Sequence, residues 1–142
     1  MDYKDLIPLA LEARQYAYAP YSHFMVGAAL LCADGRVFKG CNIENGAFSP
    51  SICAERTAFA KAISEGYRDF TAIAIVGAPS DSKGTDLCTP CGVCRQVMSE
   101  FCQQDFHIIC AKTDETGVIL EQKVFTLNEI LPESFSLLGV RK

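Results

Sequence analysis

The run TAIAIVGA, Thr71–Ala78, is apolar or small at every position after its first residue and shows no polar alternation. A strand with one wet face alternates, so an unbroken run of this length reads as a strand covered on both faces. That places it near the middle of a sheet with helices on either side. Toward the C-terminus, CGVCRQVMSEFC (Cys91–Cys102) reads as a helix with Val93, Val97 and Phe101 on one face, and HIICAK (His107–Lys112) as another buried strand. The chain from Thr71 to His107 is long enough for a helical crossover, which predicts a parallel pair. The gap between Ala111 and Val118 is too short for one. If VILEQKVF (Val118–Phe125) pairs with HIICAK, the pair is therefore antiparallel. TLNEILP (Thr126–Pro132) reads as a short helix, with Thr126 as N-cap and Glu129 at capping-box spacing.

Toward the N-terminus, ICAERTAFAKAISEG (Ile52–Gly66) predicts a helix with Ala58, Phe59, Ala62 and Ile63 on its apolar face and Gly66 as its stop. MVGAALLC, ADG and RVFKGCN (Met25–Asn42) form a β-hairpin pattern turning at Gly35. Asp5–Ala17 is an amphipathic helix, with Leu6, Leu9, Ala10, Ala13 and Ala17 on one side and Pro8 in the first turn. The predicted fold class is α/β, a mixed sheet of about five strands flanked by helices. At 142 residues the chain has the size of one domain, taken as 1–142.

Hydrophobic residues make up 49% and charged ones 21%, the balance of an ordinary globular protein. The net charge is −4 and no lysine or arginine run is present, which argues against a nucleic-acid partner. The N-terminus is too charged for a signal peptide and no apolar run reaches membrane-spanning length, so no membrane association and a cytoplasmic location are expected. The eight cysteines are then expected as thiols or metal ligands.

TPCGVCRQV (Thr89–Val97) supplies half of a metal site. Cys91 and Cys94 stand three apart at the start of a helix, where the macrodipole favours a thiolate. Cys53 stands at the start of the other helix. Parallel packing of the two helices on one sheet face would bring three thiolates together. Three protein ligands and an open fourth position mark a catalytic zinc, and four mark a structural one. Spacing leaves alternatives open. Cys88 makes CTPCGVC a C-x₂-C-x₂-C run, compatible with a four-cysteine structural zinc or with the opening of an iron–sulfur motif. A structural site would leave Glu55 without a purpose, except as compensation of the helix dipole.

Cys53-Ala54-Glu55 followed by Pro90-Cys91-Gly92-Val93-Cys94 resembles the signature of zinc-dependent nucleoside and nucleotide deaminases. YAPYSHFMVGAAL, GCNIENGAFS, CAERTA, PCGVCRQV and LPESF, spread from Tyr18 to Phe135, resemble successive blocks of the homotetrameric cytidine deaminases. The resemblance implies a three-layer cytidine-deaminase-like fold. It also implies hydrolytic deamination of cytidine and deoxycytidine to uridine and deoxyuridine, with release of ammonia, in pyrimidine salvage. Deamination of another modified pyrimidine nucleoside, or a non-catalytic zinc module, are the alternatives. One zinc per chain is implied, held by Cys53, Cys91 and Cys94. Zinc lowers the pKa of water toward about 7, and a nearby carboxyl must then move protons to the ring and to the leaving amine. Glu55 is assigned that shuttle.

Three thiolates would leave the metal centre at formal charge −1, which calls for a group that draws charge from the sulfurs, and the resemblance implies that Arg56 does so by touching Cys53 and Cys91. Asn42 and Glu44 resemble the family's ribose clamp, with Asn42 on the 3′-hydroxyl and Glu44 accepting from sugar hydroxyls. Phe24 resembles the aromatic that packs on the pyrimidine. Ala54 and Gly46 belong to the implied substrate-binding set. Phe48 stands where relatives often carry tyrosine. Phe135 resembles the residue that closes a neighbouring subunit's pocket in a homotetramer. No lysine or arginine cluster is evident for a 5′-phosphate, which favours a free nucleoside. Cys32, Cys41, Cys88, Cys102 and Cys110 read as small apolar residues or spectator thiols.

Overall fold

The computed structural model describes residues 2–137. Its sheet contains β1 (Phe24–Cys32), β2 (Val37–Cys41), β3 (Phe70–Pro79), β4 (His107–Thr113) and β5 (Ile119–Thr126), in the order β2-β1-β3-β4-β5. The TAIAIVGA run lies inside β3, at the centre, and is buried through most of its length. β1 is antiparallel to both β2 and β3, so those two are parallel to each other. β3 and β4 are parallel, and β4 and β5 antiparallel, as predicted.

The helices occupy both faces and make three layers. α1 (Leu6–Arg14) packs Leu6, Ile7 and Ala10 against Ala29, Ala72, Ala74, Val76 and Ile109. α2 (Ala54–Ser64) and α3 (Gly92–Phe101) cover the opposite face, where Ala58, Phe59, Ala62, Cys94 and Met98 meet Leu30, Ile73, Ile75 and Ile108. Strand residues of alternating parity therefore serve two cores, which is why the central runs are apolar throughout. α4 (Leu127–Ile130) follows β5 with its capping box formed: the Glu129 amide donates to the Thr126 hydroxyl, and the Thr126 amide to the Glu129 carboxylate at 2.7 Å. Gly35 turns the β1–β2 hairpin at φ +96°, a conformation that glycine adopts without penalty. Among the described residues no helix is long and apolar enough to cross a membrane.

Two expectations are corrected. α1 ends at Arg14, not Ala17, because Gln15, Tyr16 and Ala17 donate to carbonyls only three residues back and Pro20 follows. On α3 the buried side chains are Cys94, Met98 and Ser99, while Val93 is 59% exposed and Val97 and Phe101 are half-buried. Cys94 at the start of the helix faces inward, and the i, i+4 row through Cys94 and Met98 replaces the valine row as the core stripe.

Candidate metal centre and active site

Cys53 and Cys91 are the N-cap residues of α2 and α3, and Cys94 lies in the first turn of α3. Both helices return from the carboxyl ends of the parallel strands β2 and β3, so their N-termini meet at one end of the sheet. The Cys53 and Cys91 sulfurs are 3.8 Å apart, those of Cys91 and Cys94 3.6 Å apart, and all three lie within 4.8 Å of one another. Tetrahedral zinc with bonds of about 2.3 Å requires sulfur separations of about 3.8 Å, so this donor set fits the metal. Among the described residues no fourth ligand joins the group, which leaves one tetrahedral position open. The Cys88 sulfur is not part of the group and donates instead to the Gly77 carbonyl at 3.4 Å.

The electrostatics favour thiolate at Cys53. Hydrogen bonding from Cys94 is the largest cause that lowers its pKa to about 5, with help from Arg56 and Cys91. The same pairing, with burial, raises the Cys94 thiol. The Arg56 guanidinium donates to the Cys53 sulfur at 3.6 Å, and the Cys94 sulfur rather than that of Cys91 joins Cys53 in raising its pKa, which corrects the expected contact with Cys91. Cys94 is buried, whereas Cys91 is exposed at the chamber wall. The Nε of Arg56 is buried without a hydrogen-bond partner among the described residues.

Glu55 follows Cys53 by two residues and is only 4% exposed. Burial raises its pKa to about 7, and the neighbouring Cys53 charge adds to the rise. A carboxyl tuned to neutrality can both accept and return a proton at physiological pH. It lies in a cavity of about 360 Å³ lined by Phe24, Val26, Asn42, Cys53, Ala54, Ile75, Cys88, Thr89 and Cys91. An apolar chamber with a few convergent polar groups and a perturbed carboxyl is the usual character of a small-molecule site.

The family described as "Cytidine and deoxycytidylate deaminase zinc-binding region" matches residues 1–110. The chain belongs to this deaminase family. It is 48% identical to a cytidine deaminase of Sporosarcina psychrophila over 96% of this chain and 93% of the relative. It is also 48% identical to a cytidine deaminase of Halalkalibacterium halodurans, over 96% of each chain. Among solved structures it resembles a cytidine deaminase from Burkholderia pseudomallei, with a TM-score of 0.80 and 42% identity, covering 95% of this chain and 100% of that one. The fold read from the sequence is thus that of cytidine deaminases, and the zinc cofactor follows from the family and the three-thiol group.

Within this deaminase chamber the structure brings together Phe24, Asn42, Ala54 and Glu55. Asn42 lies just past the end of β2, where its Oδ1 accepts from the Val26 amide at 2.9 Å and its Nδ2 donates to the Phe24 carbonyl at 2.8 Å. Glu44 lies outside the chamber lining. Its Oε1 accepts from the amides of Tyr21 and Ser22 at 3.0 and 3.1 Å, and its Oε2 from the Ser22 hydroxyl. The Ser22 hydroxyl is the largest of the causes that hold the Glu44 carboxyl below its ordinary range. Gly46, Phe48 and Phe135 also lie away from the chamber of their own chain. Phe48 and Phe135 are each 71% exposed, and Phe48 has a φ of +63°. Cys88, read as a spectator, is a wall residue. Its place directly before Thr89 and Pro90 in the metal motif was the available signal. Val26, two residues after Phe24 on the same strand face, could have been found by period-2 spacing.

Proposed function

We propose that this chain deaminates cytidine and deoxycytidine by hydrolysis, yielding uridine or deoxyuridine and ammonia. The observation that carries the reading is a buried carboxyl, poised near pH 7, beside a three-thiolate centre with one open position in a nucleoside-sized chamber. Cys53, Cys91 and Cys94 would hold one zinc, which supplies activation of water at neutral pH. Glu55 takes a proton from the water nucleophile and delivers it to N3 as oxygen adds at C4. It then takes the second proton, from the new C4 hydroxyl, and passes it to the amine, which leaves as the C4–N bond breaks, so that cytidine and water become uridine and ammonia. Arg56 withdraws charge from the thiolates. Phe24 packs on the pyrimidine, with Ala54 beneath it.

The sugar reading rests on unused hydrogen-bonding capacity. Asn42 has committed one Nδ2 proton and one Oδ1 lone pair, leaving one of each. Glu44 Oε1 takes two amides, whereas Oε2 takes one hydroxyl and keeps an acceptor position. Together they suit a sugar hydroxyl that accepts from Asn42 and donates to Glu44. A clamp served by one hydroxyl accommodates both ribose and deoxyribose.

Residues 1–142 act in this reading as one catalytic domain of a cytoplasmic homotetramer, in pyrimidine salvage. Support for assembly comes from Tyr16, Tyr18, Tyr21, Phe48 and Phe135, all exposed aromatic rings on the single chain. Gly46, Phe48 and Phe135 would then close a neighbour's chamber. The direct test is loss of the cytidine ultraviolet band with stoichiometric ammonia. Activity should disappear on chelation and return with one zinc per chain. Nucleoside binding without ammonia release from zinc-loaded protein would refute the reading.

A further inference from the structure

The loop from Ala19 to Phe24 touches nearly every position assigned to the sugar. Ser22 is its hub. The Ser22 hydroxyl donates to Glu44 Oε2 while accepting from the Phe24 amide at 3.0 Å, and the Ser22 amide donates to Glu44 Oε1 at 3.1 Å. One side chain therefore ties the carboxylate of the ribose clamp to the backbone of the pyrimidine wall. Phe24 is bound to the clamp from its other side as well, since its carbonyl accepts from Asn42 Nδ2 at 2.8 Å. The turn needed for the Phe24 amide to reach back to Ser22 is made at His23, whose φ of +59° is a left-handed conformation that most side chains avoid. Both flanks of His23 are fixed, its amide donating to the Ala19 carbonyl at 3.0 Å and its carbonyl accepting from the Ser80 amide at 2.7 Å. A backbone strained at one residue and held on both sides signals a geometry that the loop is built to keep.

Resting on the deaminase reading above, we propose that Ser22 is a positioning residue for the sugar. It fixes Glu44 Oε2 with one acceptor position facing the substrate, and sets the distance between the ribose clamp and Phe24. Without the hydroxyl, Oε2 loses its only donor among the described residues. The carboxylate can then swivel about the two amides on Oε1, and the Phe24 amide loses its acceptor. Glu55 and the three thiols lie on other elements, so the chemical step is not the point of action.

The experiment measures cytidine affinity by calorimetry, and KM and kcat by ammonia release, on full-length zinc-loaded protein. Ser22→Ala should raise both Kd and KM about 10-fold, the loss expected for one hydrogen bond to a charged group, with kcat changed by less than about twofold and zinc still stoichiometric. Ser22→Thr, which keeps the hydroxyl, should stay within about threefold of the parent, and Ser22→Cys, a weaker donor, should fall between them. In a Glu44→Gln background, Ser22→Ala should cost less than about twofold more, because the two residues act as one unit. Equal losses in both backgrounds, or a fall in kcat at constant KM, would overturn the proposal. If Ser22→Ala does not fold, the Thr and Cys variants carry the comparison, and equal affinities in those two would overturn it. A parent that binds cytidine without releasing ammonia sinks the deaminase reading alone, and the cycle remains readable from affinities. A parent that does not bind cytidine overturns both.

Discussion

Gly40→Ala and Gly27→Ala form a matched pair that separates the stability of the sheet from the geometry of the metal centre. Each glycine lies where a helix presses its backbone onto a strand. A Cβ on Gly40 would come to 2.4 Å from the carbonyl oxygen of Ala54, and one on Gly27 to 2.0 Å from that of Ala10. Ordinary contact begins at 3.4 Å, so α2 must retreat by roughly 1.0 Å from Gly40 and α1 by roughly 1.4 Å from Gly27. The obstructing atoms are backbone, and no rotamer change can relieve them. Each variant should therefore lose about 3 kcal/mol, the upper end for overpacked sites. The functional consequences should diverge. Gly27 meets α1, which holds no site residue, whereas Gly40 meets the first turns of α2, which carry Cys53, Ala54 and Glu55.

A retreat of α2 without α3 lengthens the 3.8 Å separation of Cys53 and Cys91 and withdraws Glu55 from the chamber. Displacements near 1 Å at reacting groups cost about 10²-fold in rate. Gly40→Ala should therefore lower kcat by about 10²-fold and zinc affinity by about 10-fold, while Gly27→Ala leaves both near the parent values at similar stability loss. Denaturant unfolding, chelator competition and ammonia release measure the three quantities on the same samples. Equal zinc affinity and equal kcat in the two variants would refute the claim that the contact between Gly40 and α2 positions the site.

Glu55→Gln should keep zinc and lower kcat by about 10²–10⁴-fold, and activity within threefold of the parent would remove Glu55 from the proton path. The same variant has a signature in metal-free protein. Burial raises Glu55 from 4.5 to about 7, so between these values the folded state retains a proton that the unfolded state has released. Stability should then fall as pH rises from about 4.5 to about 7, and Glu55→Gln should flatten that slope in pH-dependent unfolding curves. Arg56→Gln should lower activity about 10–100-fold, and adding Cys53→His, which removes one negative ligand charge, should restore part of it. Purely additive loss in the double variant counts against the charge-balance argument. Phe135→Ala should raise KM with zinc retained. Subunit exchange with Glu55→Gln chains should create a low-KM fraction that neither parent shows, and its absence after verified exchange would make each chamber self-contained.

Much of the fold was legible because its information is local. The apolar TAIAIVGA run, the Gly35 turn and the Thr126–Glu129 capping box each act over a few residues, and their readings survive tertiary packing. The thiol set was legible because metal chemistry restricts residue type and spacing. The errors fall where long-range contacts decide. The face of α3 was misjudged because Val93 and Val97 look like a core stripe, but the helix is rotated to bring Cys94 beside Cys53 and Arg56. The Arg56 partner was misjudged for the same reason, since Cys91 and Cys94 are equivalent in spacing and differ only in depth. Asn42 and Glu44 were recognisable as a pair, yet their ties to Val26, Phe24 and Ser22 join segments about twenty residues apart and have no periodic signal.

The position of the centre follows from topology joined to charge. β2, β3 and β4 run in one direction, and the connections β2–α2–β3 and β3–α3–β4 return along the same face. Each helix must then start at the carboxyl end of the strand before it, so two positive dipole ends converge at one edge of the sheet. Such a place suits anions, and cysteines as N-cap and first-turn residues supply thiolates without disturbing the helices behind them. The pair of dipoles, with Arg56 donating to Cys53, offsets part of the negative charge that three sulfurs bring. The same crowding of backbone and helix starts buries Glu55, which follows Cys53 into the first turn of α2, and burial is the main cause of its raised pKa. One arrangement of two crossovers thus sets the ligand geometry, the thiolate charge and the protonation state of the carboxyl together. A change that moves either helix start, such as an added Cβ at Gly40, should disturb all three at once.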